Sequence, residues 1–147
     1  MAMEISRHIN APIETVFDAV TDLRKAEERI EAIVKMEVLT DGPIGVGTRF
    51  RETRVMFGKE ATEEMEIGSF DRPHGYTVTA ESHGCKYLSG FRLEEVDGGT
   101  TITMTFEAFP QTTVAKVMGV LTKPLQKKMG EMIGKDLEDI KRAIESR

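Results

Sequence analysis

Three ionisable residues share one predicted strand face with apolar residues, in a stretch that predicts two neighbouring strands. Glu52 and Arg54 stand between Phe50 and Met56, and Glu63 follows in the next extended run. Alternate side chains of a strand point to the same face, so this spacing predicts charged groups among apolar neighbours. A buried charge is costly unless it is paired. We therefore expect Arg54 to bridge Glu63, with Glu52 diagonal to it.

This trio of charges supports two interpretations. It is either a polar handle that orients a carboxylate, hydroxyl or carbonyl group of a bound molecule, or a structural ion pair wetted by solvent near an open edge. Both depend on strand pairing, because a turn at Gly58-Lys59 puts Arg54 opposite Glu63. A slip of one residue would move all three charges to the outer face.

The predicted inner face carries further side chains that suit a ligand. Tyr76 and Tyr87 share this face, and each hydroxyl group either bonds to a ligand or caps the core. Met118, Met129 and Met132 recur at helical spacing, which indicates either a flexible ligand-binding surface or ordinary core. The complete set of predicted cavity-lining residues is Phe50, Glu52, Arg54, Met56, Glu63, Met65, Tyr76, Tyr87, Phe91, Met104, Met118 and Met129.

No residue pattern predicts a metal, a cofactor or a particular catalytic residue. The histidines lack metal-ligand spacing, and Cys85 has no histidine close to it in sequence. The stretch GPIGVG leads into a strand rather than a helix, so it lacks the context of a dinucleotide-binding loop. Any enzymatic activity is therefore expected to proceed without a metal or cofactor.

Size and composition predict one domain spanning residues 1–147, because a chain of this length can bury a substantial core. The net charge of −5 argues against nucleic-acid binding, which depends on Lys and Arg contacts to phosphate. No apolar run is long enough to span a bilayer, so we expect no stable membrane insertion. The lone Cys85 and the lack of a hydrophobic N-terminal segment favour the cytoplasm. Composition points to no particular oligomeric state.

Seven strands and three helices are expected to position these side chains. Apolar residues alternate over residues 3–9, and the stretch INAPIETVF followed by TD predicts two short helices, the first starting at Pro12. Turn signals then separate six extended runs. These runs cover residues 33–40, 48–57, 60–70, 75–82, 85–94 and 100–109.

The strand pairings and the last helix predict an α+β fold with one covered sheet face. A turn at His83-Gly84 pairs Tyr76 with Phe91, and a turn at Asp97-Gly98 pairs Phe91 with Met104, which gives an antiparallel meander that is apolar on one side. Residues 112–146 carry an unbroken apolar stripe and predict one long helix, kinked at Pro124. The helix and the apolar sheet face must cover each other.

Several stretches resemble the START-like (SRPBCC) superfamily, in particular its polyketide cyclase/dehydrase-like branch. The stretches INAPIETVF with TD, VLTDGPIGVGTRFRE, GGTTITMTFE and GKDLEDIKRAIE are similar to its opening motif, second hairpin, last strand and helix ending. The resemblance implies a helix-grip fold: a seven-stranded curved antiparallel sheet, two short helices and one long C-terminal helix around a cavity. Many relatives carry Trp near the first two helices, whereas this chain has none.

The leading functional hypothesis is binding or carriage of a small hydrophobic molecule, which is lipid, sterol-like or polyketide-like, in that cavity. One alternative is a polyketide cyclase or dehydratase that uses the same cavity, with Glu52 or Glu63 moving protons. Another is a protein-interaction module that uses the exposed sheet face or an edge strand.

Overall fold

The computed structural model of the protein describes residues 2–82, 84–114 and 123–146. Its strands are β1 (Ala2–Ile9), β2 (Ile33–Val38), β3 (Arg49–Met56), β4 (Lys59–Asp71), β5 (Gly75–Ser82), β6 (Cys85–Val96) and β7 (Gly99–Pro110). Its helices are α1 (Ile13–Thr21), a 3-10 turn (Leu23–Lys25), α2 (Ala26–Arg29) and α3 (Lys123–Glu145). The predicted α+β fold is confirmed. The predicted kink at Pro124 depends on residues 115–122, which lie outside the described residues.

All seven described strands form one antiparallel sheet in the order β1-β7-β6-β5-β4-β3-β2. Two predicted pairings are confirmed, because Tyr76 lies opposite Phe91 and Phe91 lies opposite Met104. The sheet therefore presents the same side chains to its inner face as the alternation in the sequence predicts.

The predicted pairing of β3 with β4 was wrong by two residues. The turn consists of Phe57 and Gly58, with φ angles of 52° and 82°, so Met56 rather than Phe57 starts the pairing. A two-residue turn with both central φ angles positive favours glycine at its second position, as Asp97 and Gly98 also illustrate. A shift of two residues keeps every side chain on its predicted face but changes its cross-strand partner.

The helix α1 forms because its apolar residues recur on one side. Ile13, Val16 and Phe17 are all buried, and Pro12 precedes them at a position where a missing N–H costs nothing. The chain leaves the helical conformation at Asp22, and the 3-10 turn and α2 follow with a new direction. These short helices pack against one end of the inner face of the sheet.

A bulge in β4 adds to the curvature of the sheet. Ile67 lies opposite Val78 and Ser69 lies opposite Thr77, so Gly68 is an extra residue without a partner. A strand bends and twists more strongly at such a bulge. The extra residue also turns Phe70 inward, where it packs against the core.

The inner face has two parts that differ in packing. The packed end, under α1 and the second half of α3, contains side chains that are 2% exposed or less, among them Phe17, Ile67, Leu93, Ile102 and Leu137. The half-buried end lies toward the β3–β4 turn, the β5–β6 turn and the end of β7. Its inward-facing side chains keep intermediate exposure, and they include Met56, Met65, Tyr87, Met104, Phe106 and Met129.

Candidate functional site

A buried cluster of three charged side chains, which we call the triad, links β3 to α3. Arg54 Nε donates a hydrogen bond to Glu52 Oε1 over 2.5 Å, and Arg54 Nη2 donates one to Asp136 Oδ2 over 2.9 Å. The three side chains are only 11–13% exposed. The charges predicted for the inner face of β3 are thus inside the protein, bound to the long helix.

The predicted bridge between Arg54 and Glu63 was wrong. In the observed pairing Arg54 lies opposite Ala61, and Glu63 lies opposite Glu52. The physical reason is the position of the β3–β4 turn, which moves Glu63 two residues along β3. Arg54 instead takes its second carboxylate from Asp136 on α3.

The electrostatics of the triad follow from two carboxylates sharing one buried guanidinium group. Burial raises the pKa of Asp136, and the nearby charge of Glu52 adds to the rise, whereas Arg54 opposes it. Burial disfavours the charged form of Arg54, yet the carboxylates of Glu52 and Asp136 outweigh this effect and raise its pKa. Arg54 therefore remains positively charged, and Asp136 binds a proton more readily than an exposed aspartate.

Two atoms of the triad are buried without a hydrogen-bond partner among the described residues. They are Arg54 Nη1, which is a donor, and Asp136 Oδ1, which is an acceptor. Buried polar atoms without partners are rare because desolvation is not compensated. The ion pair of Arg54 and Asp136 therefore has one donor and one acceptor that no described residue satisfies.

Sequence reasoning missed Asp136, although a signal was present. Asp136 follows Ile133 by three residues and precedes Ile140 by four, so it stands in the apolar stripe of the helix. An acidic residue at such a position must find a buried partner, and Arg54 on β3 is that partner.

Asp139 holds the same part of α3 in place. Its side chain is 4% exposed and accepts a hydrogen bond from the backbone N–H of Glu31 over 3.0 Å. Lys135 bonds to both carboxylates, at 2.5 Å for Asp139 and 3.4 Å for Glu31. These contacts fix the helix against the segment that follows α2, and they thereby position Asp136 toward β3.

Tyr76 and Phe50 belong to the packed end. Tyr76 is 6% exposed, stacks on Phe91 with ring centroids 4.5 Å apart, and places its hydroxyl group 3.5 Å from the carbonyl oxygen of Val20. Burial raises the pKa of Tyr76. Phe50 is 3% exposed within the same core. A ligand role for these two side chains stays a prediction.

Tyr87 lies at the half-buried end and has polar surroundings. Its ring stacks on Phe106 with centroids 5.7 Å apart. Burial raises the pKa of Tyr87 to about 12, helped by a hydrogen bond with Cys85 and by the charge of Glu63. The hydroxyl group of Tyr87 is therefore neutral at physiological pH and can both donate and accept hydrogen bonds.

The remaining predicted lining residues are at intermediate exposure on the inner face, with one exception. Met118 lies outside the described residues. A contact between a ligand and any of these residues stays a prediction. The half-buried residues of this group are Met56, Met65, Phe91, Met104 and Met129.

The two clefts described in the structure run mainly along the outer face of the sheet. Their linings also include four predicted site residues, which are Met65 and Tyr87 in one cleft and Tyr76 and Phe91 in the other. The larger has a volume of about 600 Å³ and is lined mostly by outward-facing residues of β3 to β7, such as Glu64, Glu66, Thr79 and Lys86. The smaller, of about 310 Å³, is lined by residues such as Ser69, Thr77 and Thr103. Both are wide open, which suits a groove on a curved sheet rather than an enclosed binding cavity.

Neither a metal cluster nor a membrane-spanning helix is found in the described parts of the chain. Within residues 2–82, 84–114 and 123–146, no three His, Cys, Asp or Glu side chains are grouped so that they could hold a metal ion. In the same ranges, no helix combines the length and the apolar character needed to cross a bilayer.

A curved antiparallel sheet that holds a long C-terminal helix defines the helix-grip class of folds, and solved structures support this assignment of the fold. The chain is similar to TTHA0849 from Thermus thermophilus, with a TM-score of 0.81, 21% identity, and coverage of 99% of this chain and 98% of that one. It is also similar to a START superfamily protein from Mycobacterium smegmatis, with a TM-score of 0.80, 12% identity, and coverage of 99% and 97%.

Within that class, the chain belongs to the family described as "Polyketide cyclase / dehydrase and lipid transport", which matches residues 1–145. A further similar structure is the di-domain ARO/CYC BexL from the BE-7585A biosynthetic pathway, with a TM-score of 0.80 and 18% identity. The match covers 100% of this chain and 50% of BexL. No protein of curated function matches the chain significantly.

Proposed function

We propose that the protein binds or carries a small hydrophobic molecule between the inner face of its sheet and α3. The ligand classes that suit this space are lipid, sterol-like and polyketide-like molecules. Family membership supports the proposal, since the family description names polyketide cyclases, dehydrases and lipid transport.

The observation that carries the proposal is the contrast in burial along one inner face. Apolar side chains at the packed end are almost completely buried, whereas Met65, Tyr87 and Phe106 at the other end keep intermediate exposure. Inward-facing apolar groups that keep accessible surface, next to a few buried polar groups, are the usual lining of a ligand site.

A matched pair of substitutions on β5 tests this proposal. Ala80 faces inward between Met65 and Tyr87, and its neighbour Thr79 is exposed on the outer face. Ala80→Phe fills the proposed cavity with a ring, and we expect it to abolish ligand binding. Thr79→Phe adds the same ring on the other face of the same strand, and we expect binding to be retained.

Binding is measured by native mass spectrometry and thermal shift with lipid, sterol and polyketide-like panels. The proposal predicts a bound species with wild type and Thr79→Phe but not with Ala80→Phe. Circular dichroism confirms that both variants are folded. Equal binding by both variants would place the ligand elsewhere, and no binding by wild type would contradict the proposal.

A second candidate is a cyclase or dehydratase that uses the same space. It is favoured by Asp136, a carboxyl group on α3 that faces β3 and whose pKa is raised by burial, because such a group holds a proton more readily than an exposed aspartate and can pass it to a substrate. The test is conversion of a poly-β-keto chain, followed by mass spectrometry. Turnover that is unchanged in Asp136→Asn would remove Asp136 from this role.

A further inference from the structure

We propose that the polar end of the ligand is an uncharged hydroxyl group, and that the inner face excludes ligands that end in a free carboxylate. This inference rests on the proposed function and narrows its ligand class. Sterol-like, phenolic and long-chain alcohol ligands share the chemistry in question, which is a single hydroxyl group on an apolar body.

The first argument concerns charge. The triad places two carboxylates, Glu52 and Asp136, around the single guanidinium group of Arg54. An incoming carboxylate would lose its hydration and meet more negative than positive charge in a region of low dielectric constant.

The second argument concerns the guanidinium group itself. A carboxylate binds most strongly to arginine through two parallel hydrogen bonds. Arg54 already donates through Nε to Glu52 and pairs through Nη2 with Asp136, so a ligand carboxylate could reach that paired geometry only by sharing Nη2 with Asp136. Among the nitrogen atoms of Arg54, Nη1 is the one without a partner in the described part of the chain.

The third argument concerns the two unpaired atoms. Arg54 Nη1 requires an acceptor, and Asp136 Oδ1 requires a donor. A hydroxyl group accepts one hydrogen bond and donates another, so it suits both requirements. A carboxylate or a carbonyl oxygen only accepts, so it would leave Asp136 Oδ1 unpaired and, if charged, repelled.

The position of the triad indicates how a ligand would reach it. Glu52 and Arg54 stand on β3 between Phe50 at the packed end and Met56 at the half-buried end. The triad therefore lies at the boundary between the two parts of the inner face. A molecule whose apolar body occupies the half-buried end would bring its terminal group to this boundary.

The test compares matched alcohols and acids at neutral pH by saturation-transfer NMR titration. One arm uses octanol against octanoate, and the other uses naphthol against naphthoate, so that aliphatic and aromatic sources of the hydroxyl group are distinguished. We expect wild type to bind the hydroxyl member of at least one pair about tenfold more tightly, or better, than the carboxylate member.

Variants of the triad assign this preference to its charges. The double variant Glu52→Gln and Asp136→Asn leaves Arg54 as the only charge of the triad, and we expect it to bind octanoate at least as tightly as octanol. Glu64→Gln removes one negative charge from the outer face, where the side chain is 59% exposed, and should keep the wild-type preference. If the double variant does not fold, the single variant Asp136→Asn is used instead, and it should reduce the difference in affinity between octanol and octanoate.

The outcomes separate this inference from the proposed function. Wild type that binds the carboxylate as tightly as the alcohol overturns the inference but leaves the proposed function intact. A preference for the alcohol that persists in the folded double variant overturns it too, because the preference would then arise elsewhere. Failure of wild type to bind any of the four molecules, or the lipid and sterol panels, overturns the proposed function and the inference with it.

Discussion

The two ends of the inner face are built from the same strands but are packed differently. At the packed end, Phe17 contacts Phe70 and Tyr76 edge to face, with centroids 5.2 and 6.0 Å apart, and Phe17 itself is fully buried. At the half-buried end, Phe106 stacks on Tyr87, yet both rings keep intermediate exposure.

The packed end is distinguished by the described elements that cover it. The packed end is covered by α1 and by the part of α3 around Leu137, which Asp139 and Lys135 fix in place. Alternation of apolar and polar residues is the same at both ends, so the strands alone do not distinguish core from ligand site. Four predictions test whether the two ends differ as described.

The largest expected effect is at the packed end. Phe17→Ala should lower the free energy of unfolding by about 4 kcal/mol, because it removes a fully buried ring and leaves a cavity. Phe106→Ala at the half-buried end should cost only about 1–2 kcal/mol, because less apolar surface is buried there. Urea denaturation measures both values. Equal losses would contradict the distinction between the two ends.

The boundary between the ends should be almost as sensitive. Arg54→Met leaves Glu52 and Asp136 buried without a positive partner, and it should lower the free energy of unfolding by about 3 kcal/mol at neutral pH. Acidification should reduce the loss, since protonation removes both unpaired charges. A loss that is independent of pH would indicate that packing, rather than charge, explains the effect.

Asp136 should also give wild type a characteristic pH dependence. Its pKa in the folded protein is raised above the ordinary value of 3.8, so its stabilising contribution is fully present below that pH and is lost as the pH rises through the folded pKa. The stability of wild type relative to Asp136→Asn should therefore fall as the pH rises from 3.8 through the pKa of Asp136 in the folded protein. Thermal melts of both proteins across the acidic range measure it, and parallel curves would contradict the assignment.

The smallest effect distinguishes two glycines of α3. A Cβ atom at Gly130 would lie 3.8 Å from Ile5 Cδ1, an ordinary contact, so Gly130→Ala should raise stability by about 0.5–1 kcal/mol. A Cβ atom at Gly134 would lie 2.8 Å from Arg7 Nη2, and Arg7 is bound to Glu138 over 2.8 Å. Gly134→Ala should therefore raise the stability by less than Gly130→Ala does. Thermal melts of both variants measure the difference, and equal gains in stability would show that Arg7 moves without cost.

Much of the fold could be predicted from the sequence because alternation and turn residues are local signals. The faces of the strands, the turn at Asp97-Gly98 and the pairing of Tyr76 with Phe91 are confirmed. The β3–β4 pairing was predicted incorrectly because Gly58 was placed first in its turn rather than second. Cross-strand partners depend on this single choice, whereas the faces do not.

The candidate site was less predictable for a different reason. Glu52 and Arg54 were recognised from their spacing, but the partner of Arg54 is more than eighty positions away, on α3. The spacing of residues within β3 carries no information on which residue of α3 lies against Arg54. Asp136 could have been identified only by asking which acidic residue interrupts the apolar stripe of the helix.

The pairing of β1 with β7 has a consequence for biosynthesis. Ser6 and Thr103 are joined by a hydrogen bond across 97 positions of the chain, and among the described strands β7 alone lies beside β1. A nascent chain would release β1 from the ribosome long before its neighbour is translated, while the hairpins between β3 and β7 can close as soon as each emerges. Docking of β1 is thus expected to be a late step, and its long loop closure should slow folding more than any of the local turns.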